Sequence, residues 1–294
     1  MRSFIVMIGN NSFNPFFLRC GSRLLHYDNP VVMGILNATT DSFYDGGRYQ
    51  TDTEVLSRAA QLVEEGADII DIGVVSTRPG ATLLAPQEEA TRLKHAVRLV
   101  RREFPNAVIS VDTCYSLPAR AAVEAGADII NDISGGAFDT ELFQTVAELH
   151  TPYILTHNPH ATPGDPSGTA SQHSFTFSTF STQMSALVDN LHRLGVADII
   201  VDPGFGFSKT LQDNYTLFSH LTEIRQLFPN SPLLVAISRK SMIYKLLETK
   251  PDDALTGTIA LHAAALLAGT QMLRVHDVRA TRQTIQVIKQ IHNS

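Results

Sequence analysis

The chain is organised around residues 31–47, VVMGILNATTDSFYDGG, in which an apolar run breaks off abruptly at Asn37 into a polar loop closed by two glycines. Seven later stretches follow the same plan, each an apolar run that ends in groups able to form hydrogen bonds or carry charge: residues 68–73 (DIIDIG), 108–112 (VISVD), 127–132 (ADIIND), 153–157 (YILTH), 198–202 (DIIVD), 233–238 (LLVAIS) and 271–276 (QMLRVH). Continuous β-branched runs are typical of strands in a buried parallel sheet. The sequence therefore predicts eight parallel strands.

The segments between these runs are long enough to hold a helix each, and eight such units in about 260 residues match the α/β class of the (β/α)8 or TIM barrel. The strand spacing shows no gap in which a second core could begin, so we predict one barrel domain over residues 31–294. Residues 1–30 are expected to be an N-terminal extension, a short strand or hairpin that covers the bottom of the barrel. In this fold the loops at the carboxyl ends of the strands build the active site.

Composition narrows the class of protein. With a net charge of −6 and 18% charged residues, the chain has no broad basic field for nucleic acid or an anionic membrane. No run approaches the ~20 apolar residues of a membrane span, and the apolar run at residues 4–9 is too short for a signal peptide. Cys20 and Cys114 lie far apart and suggest neither a disulfide framework nor a zinc site. A cytoplasmic enzyme without nucleic-acid or membrane partners is expected.

One group of polar residues at the strand ends suits a flat heterocycle. It combines the carboxylates, amide and amine of Asp112, Asn131, Asp202 and Lys240 into a frame of mixed donors and acceptors. Residues 202–209, DPGFGFSK, add two glycines that allow a close backbone approach and two flat apolar rings. This loop lacks the Gly-Lys-Ser/Thr ending of a phosphate-binding P-loop, so it is not predicted to bind a nucleotide.

A second group is cationic and suits a polyanion such as pyrophosphate. Arg78 is the only charge in residues 73–80, GVVSTRPG, although an exposed loop arginine is the alternative on this stretch alone. Arg274 and His276 stand two residues apart, so their side chains point to the same side of a strand. Barrels commonly bind phosphate after their last two strands. Asn37 could supply an oxygen ligand to Mg2+, which keeps most of its waters. Together the two groups predict displacement of a pyrophosphate leaving group.

Seven motifs resemble those of the dihydropteroate synthase family and occur in the family's order. They are residues 34–43 (GILNATTDSF), 76–81 (STRPGA), 110–113 (SVDT), 130–136 (INDISGG), 202–207 (DPGFGF), 238–241 (SRKS) and 274–276 (RVH). The resemblance covers roughly residues 31–290. The combination is specific, whereas the barrel alone would not be, because one fold serves many functions.

The resemblance implies a transferase of folate biosynthesis that condenses 6-hydroxymethyl-7,8-dihydropterin pyrophosphate with p-aminobenzoate to give 7,8-dihydropteroate and pyrophosphate. Mg2+ would be the cofactor, sulfonamides would compete as p-aminobenzoate mimics, and the family suggests a homodimer. An aromatic amine is neutral near pH 7 and needs no strong general base. The family's dissociative, SN1-like displacement therefore fits a site that mainly helps the leaving group to depart.

The resemblance also assigns roles to individual residues. The pterin would be held by Asp112, Asn131, Asp202 and Lys240, the p-aminobenzoate side would be shaped by Thr77, Arg78, Phe207 and Ser241, and pyrophosphate would contact Asn37, Arg274 and His276. Asn37 would also be the Mg2+ ligand. The residues expected to be catalytic are Asp112, Lys240, Arg274 and His276, with Asp112 stabilising positive charge on the pterin after the C–O bond breaks.

Three departures from the family pattern stand out. Thr40 replaces the usual proline of the first loop and removes a φ restraint. Residues 73–76, GVVS, replace the common Gly-Gly-Glu-Ser, and residues 156–158, THN, stand where Met-His-Met is frequent. The last change exchanges soft apolar contact near the pterin for polar groups.

Two other functions compete with the synthase. One is a methyltetrahydrofolate-dependent corrinoid methyltransferase, which shares the pterin-holding acids but ejects no pyrophosphate. The other is a noncatalytic pterin-binding paralogue, supported only by the altered second loop. The full motifs at residues 238–241 and 274–276 favour the synthase.

Overall fold

The strands of the chain form a hairpin and a barrel. The computed structural model describes residues 13–38, 48–75, 84–162 and 175–292, and its strands are β1 (Phe16–Cys20), β2 (Arg23–Tyr27), β3 (Val31–Asn37), β4 (Ile69–Gly73), β5 (Val108–Asp112), β6 (Ile129–Asp132), β7 (Tyr153–Thr156), β8 (Ile199–Asp202), β9 (Leu234–Val235) and β10 (Met272–Val275). β1 and β2 pair antiparallel, and the others form a parallel sheet in the order β8-β7-β6-β5-β4-β3-β10-β9. A parallel bridge from Val201 to Leu233 joins the outer strands, which confirms the predicted (β/α)8 barrel.

Helices alternate with the barrel strands along the chain. They are α1 (Arg48–Glu64), α2 (Pro86–Glu103), α3 (Ser116–Glu124), α4 (Leu142–Leu149), α5 (Phe177–Leu194), α6 (Leu211–Phe218), α7 (Leu221–Leu227), α8 (Ser241–Tyr244), α9 (Leu255–Leu267) and α10 (Val278–His292), with a 3-10 turn at Pro251–Asp253. α2 starts with a proline and carries acids in its first turn and arginines in its last, as the helix dipole favours. None of the helices in the described residues is long and apolar enough to cross a membrane.

The hairpin closes the amino-terminal end of the barrel. Phe16, Leu18 and Cys20 alternate with exposed residues along β1 and point their side chains into an apolar cluster. The other buried members of that cluster are inward-facing residues from the first half of each strand: Val31, Met33, Ile69, Val108, Ile129, Ile154, Ile200, Leu234 and Met272. The lower half of the barrel is therefore a packed apolar plug.

The next inward-facing position on most strands is polar. Side chains alternate across a strand with period 2, so the residues two places beyond the apolar plug face the same interior. We call six of them the polar layer: Asp71, Ser110, Asn131, Thr156, Asp202 and Arg274. The first five are at most 3% exposed. Because TIM barrels usually fill these layers with branched apolar residues, and because buried polar groups are costly unless they are paired, this layer points to a functional site.

Candidate active site

Arg274 of β10 organises the centre of the site. Its Nε donates to Asp71 Oδ2 at 2.7 Å and its Nη2 donates to Asp112 Oδ2 at 2.9 Å. Asn131 Nδ2 donates to the same oxygen of Asp71 at 3.2 Å. Asp71 is completely buried, and a buried carboxylate needs a charged partner. Two predicted pterin residues are thus held in place by one cation and one buried acid.

Strand register brings a row of predicted residues together at the rim of the barrel. Asn37, Gly73, Asp112 and Asn131 are successive Cα partners across β3, β4, β5 and β6. A Cβ added at Gly73 would lie 3.6 Å from Asp112 Cβ and 4.0 Å from Asn37 Oδ1. The side chains of Asn37 and Asp112 therefore flank a glycine that leaves the space between them open.

Asp112 titrates far from its usual range. Burial raises its pKa to about 7, with Asp71 and Asp132 adding to the rise, while Arg274 opposes it. Asp112 is therefore protonated more easily than an exposed aspartate, and Arg274 favours its ionised form. The next residue fixes its strand end, because Thr113 N donates to Asn131 O at 3.0 Å and the Thr113 hydroxyl donates to the buried carboxylate of Glu89.

Lys240 lies opposite these acids, after β9. Its Nζ donates to Phe205 O at 2.6 Å and stands 4.6 Å from the centre of the Phe207 ring. Burial lowers its pKa to about 8, although Asp202 and Asp112 both favour the charged form. Gly206 has a φ of +86°, and a Cβ there would lie 3.2 Å from Lys240 Cδ. A glycine at this position therefore lets the loop after β8 pass close to the lysine stem.

A second buried lysine, Lys209, binds backbone oxygens of the loop after β8. Lys209 Nζ donates to the backbone oxygens of His157, Gly204 and Phe207 at 3.0, 2.8 and 3.1 Å. Asp202 Oδ1 accepts from Gly204 N at 2.8 Å in the same loop. Lys209 is only 7% exposed, and burial lowers its pKa to about 7. The lysine therefore links the loop after β7, through His157, to the loop after β8, which carries the Phe207 ring.

Arg239 fixes the turn that presents Lys240 and Ser241. It adopts a left-handed φ of 57°, which is uncommon for a residue with a side chain. Its guanidinium binds Asp277 through two hydrogen bonds of 2.8 and 2.7 Å, and its backbone N donates to Thr258 Oγ1 at 3.1 Å. These bonds join the loop after β9 to the loop after β10, so Lys240 and Ser241 keep a defined position relative to the end of β10.

His276 is half-buried beside Arg274 and is uncharged near pH 7. Its backbone N donates to Ser238 Oγ at 3.2 Å, and its Nδ1 also lies 3.2 Å from that oxygen. Burial, and next the charge of Arg274, lower its pKa to about 4. The prediction that His276 adds a positive charge is therefore wrong. The ring can offer hydrogen bonds to an anion, and Arg274 supplies the charge.

Comparison with known proteins agrees with this geometry. The model of the family described as "pterin binding enzyme" matches residues 33–276. The dihydropteroate synthase of Streptococcus pyogenes is 39% identical over 267 residues, which cover 90% of this chain and 96% of that protein. The dihydropteroate synthase of Synechocystis sp. is 40% identical over 267 residues, 87% of this chain and 88% of that protein. The chain belongs to the dihydropteroate synthase family.

Solved dihydropteroate synthases have the same fold. The Xanthomonas albilineans enzyme with 4-aminobenzoic acid superposes with a TM-score of 0.85 at 34% identity, over 96% of this chain and 100% of that one. The Yersinia pestis enzyme in a sulfonamide drug complex gives 0.83 at 32% identity, over 95% and 100%. The predicted enzyme class, a transferase, is confirmed by this family membership.

The structure gathers most, though not all, of the residues that the dihydropteroate synthase motifs assign. Arg274 donates to Asp112 and to Asp71, and Asp71 also accepts from Asn131. Lys240 influences the pKa of both Asp112 and Asp202. Phe207 lies against Lys240, and Ser241 begins α8. Thr77 and Arg78 lie outside the described residues, as does Thr40, so their roles stay predictions.

Two departures from the dihydropteroate synthase pattern become internal contacts. Val74 is 2% exposed in the core, and Val75 packs against it. The Asn158 side chain donates to Ile133 O at 3.0 Å and accepts from Ser208 Oγ at 2.8 Å. Asn158 thus ties the loop after β7 to its neighbours on both sides. Thr156, the other polar replacement, has no such bond from its hydroxyl among the described residues.

Proposed function

We propose that the chain condenses 6-hydroxymethyl-7,8-dihydropterin pyrophosphate with p-aminobenzoate to give 7,8-dihydropteroate and pyrophosphate, as a step of folate biosynthesis. The observation that carries the proposal is the position of Arg274. Its guanidinium contacts Asp112, one of the residues predicted to hold the heterocycle. The same guanidinium is the cation expected to bind pyrophosphate. The ring and the leaving group of one substrate would thus meet at neighbouring side chains.

The buried polar groups suit a pterin because their hydrogen-bonding capacities are mixed. Asp112 and Asp202 accept when they are ionised, Asn131 can both donate and accept, and Lys240 only donates. With a pKa of about 8, Lys240 is mostly protonated near pH 7. The Phe207 ring beside it offers a flat apolar surface.

The reaction we propose begins with cleavage of the C–O bond between the pterin methylene and pyrophosphate. The bonding electrons leave with the pyrophosphate oxygen, and positive charge develops on the methylene and the ring. The Asp112 carboxylate lies where it can stabilise that charge, while Arg274 neutralises the leaving group. The p-aminobenzoate nitrogen then forms the C–N bond with its lone pair and releases a proton. Ionised Asp112 is the productive form, so kcat/KM is expected to fall below about pH 7.

The residues fit Mg2+ as a cofactor of this reaction. The described residues contain no cluster of three or more His, Cys, Asp or Glu side chains that could enclose a metal. Mg2+ does not need such a cluster, because it keeps several waters and commonly binds through one or two protein oxygens plus substrate phosphate. Asn37 presents an exposed amide at the rim beside Asp112 and would hold the ion. When bound, Mg2+ would neutralise charge on the pyrophosphate oxygens.

The second substrate and the assembly are also proposed from the family. p-Aminobenzoate would lie near Phe207 and Ser241, with Thr77 and Arg78 completing its site, and sulfonamides would compete for that site.

The chain would act as a homodimer in a reducing cytoplasm, with both buried cysteines unpaired. Leu246 and Leu247 follow α8 and are 54% and 52% exposed, so the double L246K/L247K variant should be monomeric by light scattering if they lie in the interface.

Product formation provides the test. The protein is incubated with the pterin pyrophosphate and Mg2+, with and without p-aminobenzoate, and pyrophosphate and dihydropteroate are both quantified. Release that depends on p-aminobenzoate supports the proposal. Arg274→Met should abolish it, whereas Arg282→Met, which removes an arginine paired with Asp68 near the opposite end of the barrel, should not. Pterin binding without dihydropteroate would favour a noncatalytic paralogue, and methyl transfer would favour the corrinoid-dependent class.

A further inference from the structure

Three atoms of the polar layer are buried without a hydrogen-bond partner in the described part of the chain. They are Asp71 Oδ1, Ser110 Oγ and Thr156 Oγ1, and all three residues are 0% exposed. Native proteins pair the large majority of such groups, because an unpaired buried donor or acceptor is destabilising. A cluster of unpaired atoms facing one interior therefore points to a bound partner.

Thr156 is the member of this cluster that lies beside Asp202 in the strand register. It is the last residue of β7 and is the direct register partner of Asp202 at the end of β8. Ile154 and Ile200, two residues earlier, both pack inside the barrel, so Thr156 and Asp202 both point inward. The Thr156 methyl group Cγ2 lies 3.2 Å from where a Cβ at Gly204 would be. The methyl group thus packs against the loop after β8. The other branch of the side chain, the hydroxyl, is the one without a hydrogen-bond partner among the described residues.

Folding alone does not explain this hydroxyl. Valine has nearly the same shape as threonine and would fill the same space without placing an unpaired polar atom in the interior. The hydroxyl therefore lowers the stability of the protein, and a function in ligand binding would account for its presence. Threonine is also a departure from the family pattern noted above, in which methionine is frequent at this position.

We propose that Thr156 is a specificity-determining residue whose hydroxyl accepts a hydrogen bond from the bound heterocycle, on the same edge that Asp202 binds. The proposal rests on the proposed function, in which that heterocycle is the dihydropterin. A carboxylate accepts hydrogen bonds, so Asp202 faces the donor edge of the pterin, where a ring N–H adjoins an exocyclic amino group. That amino group has two hydrogens, and the neighbouring Thr156 oxygen can accept the one that Asp202 does not.

Binding of 6-hydroxymethylpterin, followed by its fluorescence, tests the proposal without requiring turnover. Thr156→Val should weaken the Kd roughly tenfold, equivalent to ~1.4 kcal/mol, because the ligand amino group loses a buried partner. Thr156→Ser keeps the hydroxyl and should bind like the wild type. The KM for p-aminobenzoate should not change in either variant.

Thr270→Val is a matched control. The Thr270 hydroxyl is also buried and unpaired in the described residues, but it precedes β10 at the opposite end of the barrel. Both valine variants should be at least as thermally stable as the wild type, and only Thr156→Val should bind the pterin more weakly. Wild-type affinity in Thr156→Val would overturn the proposal even if the enzyme makes dihydropteroate. A wild-type protein that binds the pterin but makes no dihydropteroate would overturn the synthase function and leave the Thr156 test intact.

Discussion

Replacing Asp71 with asparagine removes one charge from the buried cluster that holds the site together. Asp71 is 0% exposed and accepts from Arg274 at 2.7 Å and from Asn131 at 3.2 Å. Removing one partner of a buried ion pair costs ~3–5 kcal/mol of unfolding free energy. Arg274 keeps its contact with Asp112 in the variant, so we expect a loss at the lower end, ~3 kcal/mol.

Denaturant unfolding measures this loss, and Asp68→Asn is its control. Asp68 pairs with Arg282 near the amino-terminal end of the barrel, where the two side chains are 31% and 26% exposed. Partly exposed pairs of this kind contribute up to ~1 kcal/mol, and the asparagine side-chain oxygen can still accept the hydrogen bond that Val32 N donates to Asp68 Oδ2 at 2.7 Å. Asp68→Asn should therefore destabilise the protein by no more than ~1 kcal/mol, with no effect on catalysis.

Asp71→Asn should also shift the pH dependence of catalysis. The negative charge of Asp71 is one of the groups that raise the pKa of Asp112 to about 7. Without it, that pKa falls and Asp112 stays ionised at lower pH. Because ionised Asp112 is the productive form, the acidic limb of the kcat/KM profile should shift to lower pH. An unmoved acidic limb together with a stability loss below ~1 kcal/mol would refute this account of Asp71.

Three further predictions concern single side chains. Asp112→Asn should lower kcat by ~10² or more in steady-state assays, the scale for losing one preorganised electrostatic group; unchanged turnover in a folded variant would contradict that role. Lys240→Ala should mainly weaken pterin binding in a direct titration, and near wild-type affinity would remove Lys240 from the pterin site. Burial raises the pKa of Glu89 to about 7, so the folded protein binds this proton more tightly than the unfolded chain does. Ionisation of Glu89 should therefore lower the unfolding free energy by roughly 3 kcal/mol as the pH rises from the unfolded pKa of about 4.3 to the folded pKa. Glu89→Gln should flatten this decline in unfolding curves recorded from pH 4 to 8, and an equally steep decline in the variant would assign it to another group.

The barrel was predictable because strands buried on both faces appear in the sequence as continuous apolar runs. The same logic found the polar residues that end those runs, such as Asp112, Asn131 and Asp202. It missed Asp71, which lies in the middle of a strand, and Lys209, which resembles an ordinary loop lysine. A signal for Asp71 did exist. A carboxylate at an inward period-2 position of a buried strand requires a cationic partner, and the sequence places Arg274 at an inward position of β10, which only β3 separates from β4 in the barrel.

Charge states were less accessible from the sequence than positions. His276 was predicted as a cation from its residue type, but its pKa of about 4 depends on burial and on Arg274 beside it. The unpaired hydroxyl of Thr156 likewise emerges only when strand register and packing are known. Local pattern places a residue on a strand, whereas its protonation and hydrogen bonds depend on groups that are distant in the chain.

The two carboxylates bound to Arg274 bear on how the proposed reaction ends. An anion that binds this guanidinium must share it with Asp71 and Asp112 of the same molecule, which act as internal competitors. After the bond to the pterin has broken, the freed pyrophosphate competes with Asp71 and Asp112 for the Arg274 guanidinium. In the proposed reaction, departure of pyrophosphate would return the guanidinium to these two acids, in the arrangement that the structure shows.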